Sequence, residues 1–388
     1  MNTASEAATA QQAEARLVAL ASKHGTPLYV YDLAQVRARA SELRRVLEPA
    51  RCRLLFAIVA NDRPEVLRTV AELGIGACVN SVPHLRLAIE AGICVAETQF
   101  TATGITRQDM RLLQQLHVRT NLDSLSQLEA WLDLGATEAG IRLNAASIGG
   151  PRSADRLGIS ADDVQRAIAI AARTGARLTG AHVYLGTSFQ RPEEMLPTLH
   201  RAARVAAELP ALSYLNIGGG IGVDYERCGR SFDLSGFAEG LATCAEFLVD
   251  RVGHAVDLVF EPGRALVADC ATFVTTVTDV KELRGERFIG VDASIAVFQR
   301  PLVHPESPHS IRRIGSSDAR RTSPAGRASV VGRSSFSGDI LSVAQLPGDV
   351  SVGDLLAIDD AGAYLQSVAS RFLGQPEPST VFLSMTEP

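Results

Sequence analysis

Between Arg53 and Phe260 the chain repeats one pattern: a short apolar run ending at a polar or glycine-rich corner, then a longer stretch with helical spacing. This repetition restricts the fold more than any other feature. Strands that are apolar throughout are buried on both faces, and helical crossovers between them make them parallel. The strand candidates are Arg53–Val59, Gly76–Asn80, Glu97–Ala102, Val118–Asn121, Gly140–Leu143, Leu178–Leu185, Tyr214–Ile217 and Asp257–Phe260. Helical stretches fall at Pro64–Leu73, Pro83–Ala91, Arg107–Leu116, Leu125–Leu134, Ala161–Arg173, Pro192–Leu209 and Leu234–Arg251. Eight such strands over roughly 210 residues predict an α/β fold, a (β/α)8 TIM-like barrel. A doubly wound open sheet is the competing architecture.

The flanks read differently. Ala13–Ser22 is a first helix stopped by Gly25-Thr26-Pro27, and Leu28–Tyr31 is a strand. Asp32 is a natural N-cap for a helix running to about Leu47. Beyond about Cys270, alternating segments at Ala271–Val280, Glu286–Val291, Ala328–Val331, Val343–Leu346, Asp354–Ile358 and Val381–Leu383 predict a separate C-terminal, mostly-β domain. The expected plan is an N-terminal extension (1–24), a strand joining the β domain (25–36), the barrel (37–268) and the β domain (269–388). Ile311–Arg333, rich in Arg, Ser and Gly, reads as a long loop. Its Arg312, Arg313, Arg320, Arg321 and Arg327 are either solvated or turned toward an anionic substrate.

Composition excludes some functions. A net charge of −5 provides no basic excess to neutralise phosphates, which argues against a nucleic-acid partner. Lys23 and Lys281 are the only lysines among 38 basic residues, so a mechanism needing an amine nucleophile has two candidates. Six scattered cysteines without a CxxC pair favour reduced thiols over a disulfide framework or a metal site. No apolar run reaches membrane-spanning length and no secretory signal is visible, so a cytoplasmic protein is expected.

The chemistry gathers at strand ends. Gly218-Gly219-Gly220 follows the seventh strand; bare backbone of this kind exposes N–H groups and permits the positive φ of an anion nest. Glu261-Pro262-Gly263-Arg264 ends the eighth strand, putting a carboxylate and a bidentate phosphate donor at one rim. Each motif alone also fits a structural corner or ion pair. Together, at adjacent strand ends, they predict a phosphate site, with Thr187 adding a hydroxyl and Tyr364 a phenol. By contrast, the strand end at Phe56-Ala57-Ile58-Val59 holds nothing that donates a proton, attacks or coordinates.

Seven ordered motifs carry a resemblance. Gly25-Thr26-Pro27-Leu28-Tyr29-Val30-Tyr31-Asp32, Phe56–Asn61, Gly218-Gly219-Gly220, Glu261-Pro262-Gly263-Arg264, Arg300-Pro301, Gly338-Asp339 and Gly362-Ala363-Tyr364 resemble the diaminopimelate/ornithine decarboxylase family. These are fold-type III enzymes dependent on pyridoxal 5'-phosphate (PLP), with an alanine-racemase-like barrel and a C-terminal β domain. The resemblance runs from about residue 25 to 385 and is specific to the family, not to a substrate.

It implies that Thr187, Gly219, Gly220, Arg264 and Tyr364 hold the cofactor phosphate, that Gly218 and Gly263 also bind the cofactor, and that Glu261 holds the pyridine nitrogen protonated. Arg300 matches an arginine that handles substrate carboxylate. The reactive positions have changed. The lysine that family members bond to the cofactor aligns with Val59, the ring-stacking His with Tyr184, the active-site Cys with Ser335 and the following Glu with Phe336. Acidic positions fall at Cys78 and His84, and a substrate-side Tyr falls at His304.

Three readings follow. In the first the chain is a decarboxylase that binds PLP non-covalently, with weak, altered or no turnover. In the second it is a non-catalytic regulatory paralogue of an active decarboxylase. In the third it is a phosphate-ligand barrel enzyme using His84, His182 and His304 for proton transfer. The expected ligand is amino-acid-like. The family's head-to-tail dimer implies a homodimer, or a heterodimer with an active paralogue.

Overall fold

The computed structural model describes residues 3–150, 155–304, 307–315 and 323–383, with side chains from residue 10 onward. The chain divides into two compact units: Val36–Val223 with Arg230–Leu266, and Met1–Gln35 with Asp224–Gly229 and Val267–Pro388. Strands are numbered along the chain, so β1 (Leu28–Asp32) belongs to the second unit.

The first unit is the barrel. β2 (Arg53–Ala57), β3 (Gly76–Val79), β4 (Thr98–Thr101), β5 (Arg119–Leu122), β6 (Glu138–Leu143), β7 (Arg177–Val183), β8 (Tyr214–Asn216) and β9 (Asp257–Phe260) close in that order, all neighbours parallel. The doubly wound alternative is thereby excluded. The helices between strands are started by side-chain caps where the sequence supplies them. Ser81 accepts from the His84 amide, Ser124 from the Gln127 amide, and Thr106 forms a capping box with Asp109.

The barrel core is not wholly apolar. The Tyr214 hydroxyl donates to Asn121 Oδ1 (2.7 Å), and the Asn121 amide donates to Thr101 Oγ1 (2.9 Å). Gly140 and Gly180 make room for this phenol, since a Cβ at either would overlap the Tyr214 side chain.

β2 stops two residues earlier than expected. Ala57 N–H donates to Pro262 O (3.2 Å), but Pro262 has no N–H to return, so the ladder toward β9 ends. The next residues, Ile58–Ala60, close into a 3-10 turn with Asn61 N–H donating to Ile58 O (3.0 Å). Position 59 is therefore on a turn and not on a strand.

The second unit is a sheet of β1 with β10 (Ala271–Leu283), β11 (Glu286–Val291), β12 (Ile311–Ile314), β13 (Ala325–Val331), β14 (Ile340–Pro347), β15 (Leu355–Ile358) and β16 (Ser379–Leu383). Its order is β12-β15-β10-β11-β13-β14, and β1 lies between β10 (antiparallel) and β16 (parallel). Helix α1 (Thr3–His24) lays Leu17 and Ala21 onto Leu28, Val30, Val274, Ile314 and Ala357.

Here the expected loop Ile311–Arg333 is corrected, because its start forms β12, while the expected β segment Ala328–Val331 lies within β13. The apolar signal of β12, Ile311 and Ile314, is diluted by the arginines between. Those arginines are held internally: Arg312 Nε donates to Asp359 Oδ2 (3.2 Å), and Arg313 Nη1 lies 3.1 Å from Asp349 Oδ1. Arg320 and Arg321 lie outside the described residues. Among the described residues, no helix is long and apolar enough to cross a membrane.

Candidate functional site

The polar chemistry of the barrel concentrates where β7, β8 and β9 end. Asn216 is the last residue of β8 and is fully buried. Its amide nitrogen donates to Glu261 Oε1 (2.7 Å) and Gln99 Oε1 (2.8 Å), and its Oδ1 accepts from the Gly218 amide (2.8 Å). One side chain thus fixes both the Glu261 carboxylate and the start of the glycine turn.

His182 Nε2 stands 3.6 Å from Glu261 Oε2, an ion-pair distance when the ring is protonated. Its Nδ1 is buried with no hydrogen-bond partner among the described residues. Burial alone would raise the Glu261 pKa. The proximity of His182, with hydrogen bonds from Cys78 and Asn216, outweighs it and holds the carboxyl below its ordinary value. Burial, reinforced by Glu261, pushes the Cys78 thiol well above its own, so Cys78 remains a neutral donor.

The glycine turn is open backbone. Gly218 and Gly220 have φ of 65° and 119°. The Gly218 and Gly220 carbonyls accept from Glu261 N–H (2.8 Å) and Phe189 N–H (3.0 Å). The Gly219 and Gly220 amides donate to no acceptor among the described residues. A Cβ at Gly219 would run into the Glu261 carbonyl, and one at Gly220 would stand 2.6 Å from Gly186 O. Arg264, after Gly263, donates from Nη1 to Ser188 Oγ (2.6 Å). The hydroxyl that engages this arginine is Ser188, with φ of 60°; Thr187, expected at the phosphate, is half-buried beside it.

Other expected residues are placed as follows. Val59 and Tyr184 are half-buried at the ends of β2 and β7. His84 sits in the helix Val82–Glu90, where burial lowers its pKa against the opposing charge of Asp62; no hydrogen bond or ion pair joins it to His182. Arg142, in register with His182, pairs with Asp123 (3.1 Å).

In the β unit, Arg300 is 2% exposed; its guanidinium stacks 3.6 Å over the Tyr225 ring and donates to Ser307 O (2.7 Å). His304 ends the short helix Arg300–Val303. Ser335 is exposed, and Phe336, 43% exposed, meets Phe372 edge-on at 5.9 Å. Tyr364 is half-buried with φ of 56°. Lys23 and Lys281 are both exposed in this unit.

Sequence reasoning passed over Asn216, Ser188, Gln99 and Arg142. Only Asn216 had a local signal, as the one polar residue in Tyr214–Ile217 directly before the glycines.

Comparison with known proteins gives this geometry a family. The profile described as pyridoxal-dependent decarboxylase, pyridoxal binding domain, matches residues 33–268, more than half of the chain. The chain belongs to the pyridoxal-dependent decarboxylases. The curated relatives of this decarboxylase-family chain include the diaminopimelate decarboxylases of Zymomonas mobilis and Streptomyces coelicolor. The first is 27% identical over 395 residues, covering 94% of this chain and 89% of the relative. The second is 29% identical over 388 residues, covering 93% and 85%. Among solved structures, diaminopimelate decarboxylase from Helicobacter pylori, complexed with L-lysine, superposes with TM-score 0.85 at 25% identity, over 95% of this chain and 94% of that one. The enzyme from M. jannaschii, at 23% identity over 95% and 89%, gives TM-score 0.86 and shows the shared fold.

Proposed function

We propose that this family member binds PLP non-covalently at the β7–β9 corner of its barrel and is a weak, altered or inactive decarboxylase. One contrast carries the reading: groups suited to the cofactor's phosphate and ring nitrogen are present, while by the resemblance the groups that would react are replaced. Two uncommitted glycine amides and Arg264 suit a phosphate. The buried Glu261 carboxylate, favoured in its ionised form, suits a protonated pyridine nitrogen. PLP so held supplies an electron sink for carbanion chemistry.

On the reactive side, Val59 cannot form the covalent link, and neither lysine of the sequence belongs to the barrel unit. Without a positioned amine nucleophile, exchange of amino-acid ligands on the cofactor is slow. For Tyr364, Arg300, His304, Ser335 and Phe336, for the head-to-tail homodimer and for a cytoplasmic location, the resemblance is the support. Phe336 in place of a polar residue makes lysine, ornithine and diaminopimelate poor substrates.

Thermal unfolding with added ligand tests the reading. PLP at a hundredfold over its Kd adds about 2.7 kcal/mol and raises Tm by a few degrees. Arg264→Gln removes most of that rise. If another phosphorylated metabolite stabilises the protein while PLP does not, the reading fails, and a barrel enzyme using histidine acid/base groups takes its place.

A further inference from the structure

The β unit contains a cavity of about 630 Å³ bounded by α1, β1 and the start of β10. It lies wholly within that unit and uses none of the residues assigned above to the cofactor. We propose that this cavity is a second ligand site, taking a basic α-amino acid, a molecule with one carboxylate and two cationic groups.

The volume falls in the range of small-molecule pockets. The walls carry Arg16 and Arg312 against Asp32, Asp269 and Asp359, one net negative charge. Arg312 is already committed: its Nε donates to Asp359 Oδ2 (3.2 Å) and its Nη1 to Glu14 Oε2 (3.4 Å). Arg16 is half-buried on α1 and makes no ion pair or hydrogen bond among the described residues. A cation left unpaired on a cavity wall is a receptor for a carboxylate.

Asp32 uses one oxygen to cap the Ala34 amide (2.9 Å) and keeps the acceptor capacity of the other. Burial first, then the charges of Asp269 and Asp32, push the Cys270 thiol well above its ordinary pKa, so both carboxylates act on one stretch of wall and the thiol stays neutral. A ligand with its carboxylate at Arg16 and its cationic groups toward this acidic wall meets opposite charge at both ends, and its net positive charge offsets the net negative charge of the lining. A dicarboxylate meets like charge there, and a diamine leaves Arg16 without a partner. Leu17 and Val30 supply apolar wall for a methylene stem.

The site does not depend on the cofactor reading, so it is tested on the full chain without added PLP. Isothermal titration with L-lysine is expected to show saturable binding. L-glutamate and 1,5-diaminopentane are expected to bind at least about tenfold more weakly. Arg16→Gln and Asp32→Asn, the latter keeping the cap acceptor, each weaken L-lysine binding about tenfold while Arg264→Gln does not. Circular dichroism and Tm establish that at least one of the two wall variants is folded. Absence of L-lysine binding, or binding that a folded wall variant leaves unchanged, overturns the proposal. So does binding that only Arg264→Gln abolishes, which assigns the ligand to the barrel instead.

Discussion

Asn216 makes three hydrogen bonds from a fully buried position, to Glu261, Gln99 and the Gly218 amide. Replacing it with Leu leaves two acceptors and an amide buried without their partner. We expect Asn216→Leu to cost about 2–4 kcal/mol, read by urea denaturation, and to weaken PLP binding. Glu261 gives a prediction in pH. Its folded pKa lies below the unfolded value, so its contribution to stability is present above the ordinary carboxylate pKa and is lost as pH falls through the folded one. Glu261→Gln should therefore lower Tm at neutral pH and narrow the gap to the parent protein below about pH 4. A gap that widens on acidification contradicts the assignment. Glu261 and the three glycines were legible because the chain places them beside one another at strand ends. The network behind them was not, because Gln99, Asn121 and Asn216 meet across the barrel and carry no local pattern that pairs them.

At the level of elements, the apolar runs and capping residues mark the barrel strands and helices, while strand ends are set by neighbours. β2 ends at Ala57, its last pair with β3, where the chain closes into the Ile58–Ala60 turn, a change invisible within the apolar run Arg53–Val59 itself. β12 was hidden for a different reason: two isoleucines flanking two arginines look like loop until Asp349 and Asp359 neutralise the charges. The turn at Ile58–Ala60 frames a third prediction. Val59→Lys puts an amine at this turn, yet under the proposed reading Tyr184, Ser335 and Phe336 still depart from the pattern that the resemblance implies. Turnover of lysine, ornithine or diaminopimelate by this variant should stay below about 0.1 s⁻¹, a hundredfold under a typical enzyme's ~10 s⁻¹. Brisk carbon dioxide release from any of them refutes the claim that the corner has changed as a group.

Over the whole molecule, the fold class was legible because strand–helix alternation and a later switch to period-two segments need no long-range information. Nothing local to β1 marks which strands it joins in the β domain, since its partners β10 and β16 lie more than two hundred residues downstream. The pairing makes residues before the barrel part of the C-terminal sheet, so the β unit completes only when the chain end arrives. The central claim concerns how a cofactor is held by a chain with two lysines, neither in its barrel. Borohydride reduction of the PLP-loaded protein followed by intact-mass spectrometry tests it most directly. The account predicts bound PLP, seen by absorbance and released on denaturation, and a polypeptide mass unchanged by reduction. A pyridoxyl adduct near one per chain, on Lys23, Lys281 or any other amine, would contradict it.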